Sequence, residues 1–376
     1  MTTADAEPDM VDWDLAVATA GRLAGSGPAV SDDEARAAVA ELRALAAQAE
    51  RHVAAFTGLD ASATSAPLVV VDRGNWARAN AQSMRTIIAP LERKLRKHRE
   101  PSPFQKVGPK VTGLQTGALL AFLATKVLGQ FDPFWSGPIE IGPAGSPAGN
   151  GAAGTTGEKA HGRLLLVAPN IVHVERELGV DPHDFRLWVT LHEETHRVQF
   201  TAVPWLRDHL AGEIEAFVAA TDVDPTAFLT RARDAVRAMA ESARSADGNV
   251  SILDLVQTPA QKAVIDRVTA FMSLLEGHAD VVMDGVGPEV IPSVETIRRR
   301  FQRRRYSSVG LDRTLRRLLG LDAKMRQYRD GAAFVNTVVD QVGMAGFNRV
   351  WESADTLPTK EEIADPVAWV RRVHGG

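Results

Sequence analysis

The chain has no cysteine among its 376 residues. That absence excludes disulfides, thiolate metal ligands and cysteine nucleophiles together, and leaves His, Asp and Glu as the strong ligands available to a metal ion. Tyrosine is nearly absent as well, with only Tyr306 and Tyr328, so any chemistry that needs a phenol has two candidates. Long apolar runs are missing: no segment reaches eighteen apolar residues without charge, and residues 1–10 carry acids without a basic region or an apolar stretch. Neither a membrane span nor a leader is expected, and the expected setting is cytoplasmic. A surplus of one charge sign is missing too. The formal charge of −4 gives no general attraction to nucleic acid or to an anionic membrane, so neither is expected as a partner.

What is present is an ordinary globular composition, 45% hydrophobic and 24% charged, sufficient to bury a substantial core. Ala, Leu, Arg and Glu recur with helical period through residues 32–56, 76–98, 114–128 and most of 184–350. Short β-rich runs at 67–71, 138–141 and 163–167 suffice for a small sheet. The expectation is therefore an α+β chain, predominantly α-helical. Residues 1–30 hold one apolar helical patch before the breaker Gly25-Ser26-Gly27-Pro28 and are expected to pack on a single body spanning 31–352. Residues 353–376 read as a C-terminal tail. The Gly/Ala/Ser/Thr/Pro stretch 142–162 has too few large side chains to pack a core and reads as a flexible loop.

Chemistry concentrates in His192-Glu193-Glu194-Thr195-His196. The surrounding segment 184–205 reads as a helix with Asp184 as N-cap, an apolar side of Leu187, Trp188, Leu191, Thr195, Val198 and Ala202, and Pro204 as its stop. His192 and His196 at i and i+4 leave one helix face a turn apart and can converge on one tetrahedral ion. Glu193 follows the first candidate ligand, within reach of a proton on metal-activated water. The plainer alternative is a surface helix with two histidines. The apolar flanks argue against it, because buried imidazoles need partners.

Zinc needs a third protein ligand. The extended pattern with Gly and His three and six residues after the second histidine fails, since those positions hold Gln199 and Ala202. A strongly apolar helix at 263–283 is interrupted by Glu276-Gly277-His278-Ala279-Asp280, and charges in such company are costly unless paired or coordinating. Glu276 and Asp280 lie one turn apart, which suits a carboxylate ligand and a second carboxylate that accepts the free N–H of a ligating histidine. This arrangement resembles the gluzincins, and on that resemblance Glu276 is the third ligand and Asp280 its supporting partner. His278 is the rival ligand, but it points roughly 200° around the helix from Glu276. His209 and Asp284 are outlying candidates.

Tyr328, in Lys324-Met325-Arg326-Gln327-Tyr328 on a helix expected to end at Gly331, is the candidate donor to a developing oxyanion, against the plainer reading of an amphipathic helix residue. The arginines of residues 298–305 read as a solvated helix face, with recognition of a substrate carboxylate or phosphate as the alternative. Gln199 and Phe200 read as helix packing, and Glu194 as solvent-facing or paired with Arg197.

Together, Val11-Asp12-Trp13-Asp14 and the Gly-rich break after it, His192 to Phe200, Glu276 to Asp284 and Lys324 to Tyr328 resemble a zincin-like family of actinobacterial zinc-dependent metalloproteases associated with biosynthesis of the deazaflavin coenzyme. The resemblance covers most of the chain. It implies a zincin-like fold with a small β-sheet beside the active-site helix, a Zn2+ cofactor, and a peptide or small amide substrate. The competing reading is a catalytically quiet, metal-stabilised scaffold or binding protein, against which Glu193 speaks because a structural ion needs no base.

Overall fold

A computed structural model describes residues 9–60, 66–97, 108–137, 162–221, 258–306 and 321–375. The fold is predominantly helical with one small sheet, as the periodicity implies. The first helix, α1 (Trp13–Leu23), starts where the Asp12 carboxylate accepts the Leu15 N–H. The second, α2 (Asp32–Thr57), starts at a Ser31/Glu34 capping box and stops at Gly58, whose φ of 70° is one that glycine adopts without steric cost. Helices α3 (Arg73–Lys97) and α4 (Gly108–Ala124) follow. The N-terminal helix packs on α4 through glycines: a Cβ at Gly117 would lie 2.6 Å from the Ala16 carbonyl.

Three strands form the sheet in the order β1 (Leu68–Val71), β3 (Arg163–Val167), β2 (Gly129–Asp132). Strand β3 is buried along its whole length, parallel to β1 and antiparallel to β2. Strand β2 is not legible in the sequence, because Gly-Gln-Phe-Asp holds a single large apolar side chain. The β-rich run at 138–141 and the Gly-rich stretch through residue 161 lie outside the described residues.

After β3 the chain turns directly into α5 (Ala168–Leu178), an element the periodicity did not separate, and then into α6 (Pro182–Ala202). The cap of α6 corrects the expectation. Asp181 accepts the Asp184 N–H, while Asp184 sits inside the first turn and accepts from the Ser293 N–H (2.9 Å) and hydroxyl (2.6 Å). The helix ends before Pro204, and α7 (Trp205–Ala220) begins directly after it. Then come α8 (Pro259–Gly285), opened by a Thr258/Gln261 capping box, α9 (Val294–Tyr306) and α10 (Leu321–Phe347).

Helix α10 does not end at Gly331. That glycine lies in its interior, where a Cβ would sit 1.9 Å from the Ser273 carbonyl, and a Cβ on Gly277 would sit 2.1 Å from the Gly331 carbonyl carbon. Two facing glycines thus let α10 and α8 touch backbone to backbone beside Glu276. The C-terminal helices α11 (Lys360–Ala364) and α12 (Pro366–His374) join the same core, with Trp369 fully buried against Phe334. Each large side chain so buried contributes about 1.5–3 kcal/mol relative to exposure.

One apolar cluster joins α2, β3, α5, α6 and α9 through Leu42, Leu166, Ile171, Phe185, Leu191 and Ile297, and another joins α8, α10 and the C-terminus through Phe271, Leu274, Phe334 and Trp369. Helices α6 and α8 form the seam between the two. Among the described residues, no helix is long and apolar enough to cross a membrane.

Candidate metal centre

The seam brings His192 and His196 of α6 against Glu276 of α8. The two Nε2 atoms are 3.3 Å apart, and Glu276 Oε2 is 3.4 Å from each. Among the described residues this is the group of His, Cys, Asp or Glu side chains that converges closely enough to hold a metal ion. Tetrahedral zinc with bonds of about 2.0–2.1 Å places its ligands about 3.3–3.4 Å apart, so the donor triangle has zinc's dimensions. Glu276 Oε2 is buried and makes no hydrogen bond of good geometry; its near partners are the two imidazoles at 3.4 Å, a distance and arrangement that an ion between the three donors would complete.

The electrostatics agree with the geometry. Burial pushes the Glu276 carboxyl up, yet the two imidazoles outweigh burial and hold it well below the usual carboxylate range. Burial pushes His196 down, but Glu276 and then Glu193 lift it, to about 9. The proton held by the raised His196 is one that metal binding would have to displace.

Around the triangle stand four further groups. Asp280 Oδ1 lies 3.8 Å from His192 Nδ1, on the side of the ring away from Glu276. Glu193 is buried and packs against Gly129, the first residue of β2: a Cβ at position 129 would lie 2.5 Å from Glu193 Cγ and 2.6 Å from its carboxyl carbon. The sequence reading missed Gly129. The absence of a side chain there makes room for the Glu193 carboxylate, and it could be found only once β2 was known to border α6.

Gln199 is fully buried, with its Oε1 3.0 Å from His196 Nδ1 and its Nε2 3.0 Å from both the Leu275 carbonyl oxygen and His278 Nδ1. From the sequence Gln199 reads as packing, because glutamine carries no metal signature. Its partners on α8 lie 76 and 79 residues away.

His278, the rival ligand, stands outside the triangle. It is fully buried, stacked at 5.3 Å on Phe347 and packed on Trp351, and burial with nearby His196 pushes it down to about 3. His209 packs its ring on Trp205 and Phe271 and takes no part in the triangle. Asp284 pairs with Arg298, and burial nevertheless raises it to about 6.

Glu194 does not face solvent. It is buried, 2.5 Å from Arg197 Nε, and Arg197 also reaches Glu50 of α2 at 2.9 Å. Burial lifts Glu194 to about 7 against the pull of Arg197. The arginines of α9 stand mostly exposed, as a solvated face does, and some also tie the helix down: Arg300 donates to the Leu178 and Gly179 carbonyls at the end of α5, and Arg304 pairs with Glu177. Tyr328 lies in the first turns of α10, and its side chain, like that of Tyr306, is outside the described part of the structure.

The sequence profile of the family described as zincin-like metallopeptidase matches residues 11–370, nearly the whole chain. The chain belongs to the zincin-like metallopeptidase family. A solved structure from Chloroflexus aurantiacus, provisionally described as a hydrolase with a novel fold, is 30% identical to this zincin-like chain. The likeness covers 97% of this chain and 99% of that one, with a TM-score of 0.66. No curated protein matches.

Proposed function

We propose that the protein is a zinc-dependent hydrolase of peptide or amide bonds, with His192, His196 and Glu276 as ligands. Glu193 is the general base, Asp280 orients His192, and Tyr328 donates to the oxyanion. One observation carries the reading: three donor atoms from two helices form a triangle of zinc's dimensions that includes a buried carboxylate oxygen with no hydrogen bond of good geometry.

When bound, zinc supplies Lewis acidity that polarises a substrate carbonyl and lowers the pKa of water toward about 7. The chain's own residues do the rest. Glu193, next to His192 and held against Gly129, takes the proton of the attacking water and hands it to the leaving amine. Asp280, 3.8 Å behind His192 Nδ1, favours the ring orientation in which Nε2 faces Glu276. Tyr328 is proposed from its place on α10, three residues before the glycine that touches Gly277, and from the scarcity of phenols in the chain.

The test is hydrolysis of a peptide library by zinc-loaded protein. Glu193→Gln is expected to keep the ion and lower kcat by about 10²–10⁴-fold, and Tyr328→Phe to lower kcat with KM and zinc content retained. Cleavage by Glu193→Gln at the wild-type rate removes Glu193 from its role. A wild type that binds zinc and cleaves nothing in the library favours the scaffold.

A further inference from the structure

We infer that Gln199 is a positioning residue that fixes the tautomer of His196, so that the lone pair of Nε2 faces His192 and Glu276. The inference rests on the zinc reading and deepens it. Gln199 is fully buried, and three groups meet its amide at 3.0 Å: His196 Nδ1, the Leu275 carbonyl oxygen and His278 Nδ1.

The orientation of the amide follows from one of these partners. A backbone carbonyl can only accept, so the Gln199 atom facing Leu275 must be the NH2 group. Its oxygen then faces His196 Nδ1. An oxygen without a proton can only accept, so His196 Nδ1 must carry the hydrogen, and a neutral His196 must keep its lone pair on Nε2. The flipped amide would set two oxygens against each other at Leu275 and would force the proton of a neutral His196 onto the nitrogen that faces Glu276.

His278 adds a second lock. Its Nδ1 lies 3.0 Å from the same amide nitrogen, and the ring is fully buried and held by Phe347 and Trp351, so the amide group is fixed from a second side. The chain of bonds runs from the ligand His196 on α6, through Gln199, to the backbone of α8 at Leu275, the residue before Glu276. The ring of His196 is therefore set correctly only when the helix that carries the third ligand is docked.

The two histidines differ accordingly. His192 has a carboxylate, Asp280, behind its Nδ1, and His196 has a neutral amide. An amide draws less charge onto the ring than a carboxylate does, so it orients His196 without adding negative charge to the site.

The experiment compares wild-type protein and Gln199→Met by zinc competition with a chromophoric chelator and by ¹⁵N–¹H spectra of the histidine rings in the zinc-loaded state. Methionine matches glutamine in length and cannot accept the bond. The wild type is expected to show a downfield His196 ring N–H that exchanges slowly with solvent. Gln199→Met is expected to lose that signal and to bind zinc about 10–100-fold more weakly while keeping the wild-type helical circular dichroism.

Zinc affinity and ring signal both unchanged in Gln199→Met overturn the assignment of Gln199 and leave the zinc reading intact. A wild type that takes up no zinc removes the zinc reading itself. If Gln199→Met does not fold, His278→Phe keeps the ring stacked on Phe347 and frees only the second lock. It is expected to weaken zinc by a smaller factor and to broaden the His196 signal as the amide samples both orientations, and an unchanged spectrum there overturns the role of the amide.

Discussion

On the side of α6 that meets α2 and α5, charges are matched by counter-charges. Arg197 lies between Glu194 and Glu50, and Arg186 between Glu41 and Glu175. On the side that meets α8, two histidines and Glu276 converge on one another, and the carboxylate oxygen at the centre has no hydrogen bond of good geometry. The same helix thus carries a completed polar network and an incomplete one, barely a turn apart. Buried charge is tolerated when paired, and the place where pairing is unfinished is where an ion belongs. The adjacent Glu193 and Glu194 show the division most sharply: one faces the edge strand at Gly129, the other pairs within α6 with Arg197, which in turn reaches Glu50 of α2.

The largest effect is expected from opening the completed side. Glu194→Ala takes the buried carboxylate away from the half-buried Arg197, leaving it Glu50 alone, and should cost about 3 kcal/mol of folding stability in denaturant titration, with zinc per folded chain unchanged. Lost zinc in the folded fraction would erase the distinction between the two sides. Gly129→Ala should do the reverse: a Cβ there displaces the Glu193 carboxylate, lowering kcat about 10²-fold while zinc affinity and thermal midpoint stay near wild type. Asp280→Asn should weaken zinc about 10–100-fold by competition, through His192.

The smallest effect is a pH dependence with two signs. His278, pushed down to about 3, leaves the unfolded state binding a proton that the folded state refuses, so stability falls as pH drops from about 6.5 toward 3. His196 in the metal-free protein is lifted to about 9, so its contribution is full below about 6.5 and is lost as pH rises through 9. Thermal midpoints of metal-free protein across pH should show both limbs, with His278→Phe flattening the acid limb alone.

Much of this was legible in the sequence because the period of a helix is strict. His192, His196, Glu276 and Asp280 could be placed on helix faces from spacing alone, and apolar neighbours marked Glu276 as costly. What escaped depends on contacts between distant segments. Strand β2 has too few large apolar residues to announce itself, and with it went the role of Gly129. Gln199 acts through a carbonyl 76 residues away, and no pattern within its own helix signals that partner. Glycine usually terminates helices, so the sequence puts the end of α10 at Gly331. Here it permits a helix crossing against Gly277 instead, which only the packed structure reveals.

The central claim is that the α6–α8 seam binds zinc through two imidazoles and one carboxylate. It is tested most directly by dialysing untagged, chelator-stripped protein against zinc and measuring X-ray absorption at the zinc edge. The account predicts zinc retained at about one per chain, with two imidazole nitrogens and one carboxylate oxygen at about 2.0–2.1 Å, and zinc lost in Glu276→Ala. Protein that leaves dialysis without zinc, or zinc bound without imidazole, contradicts it.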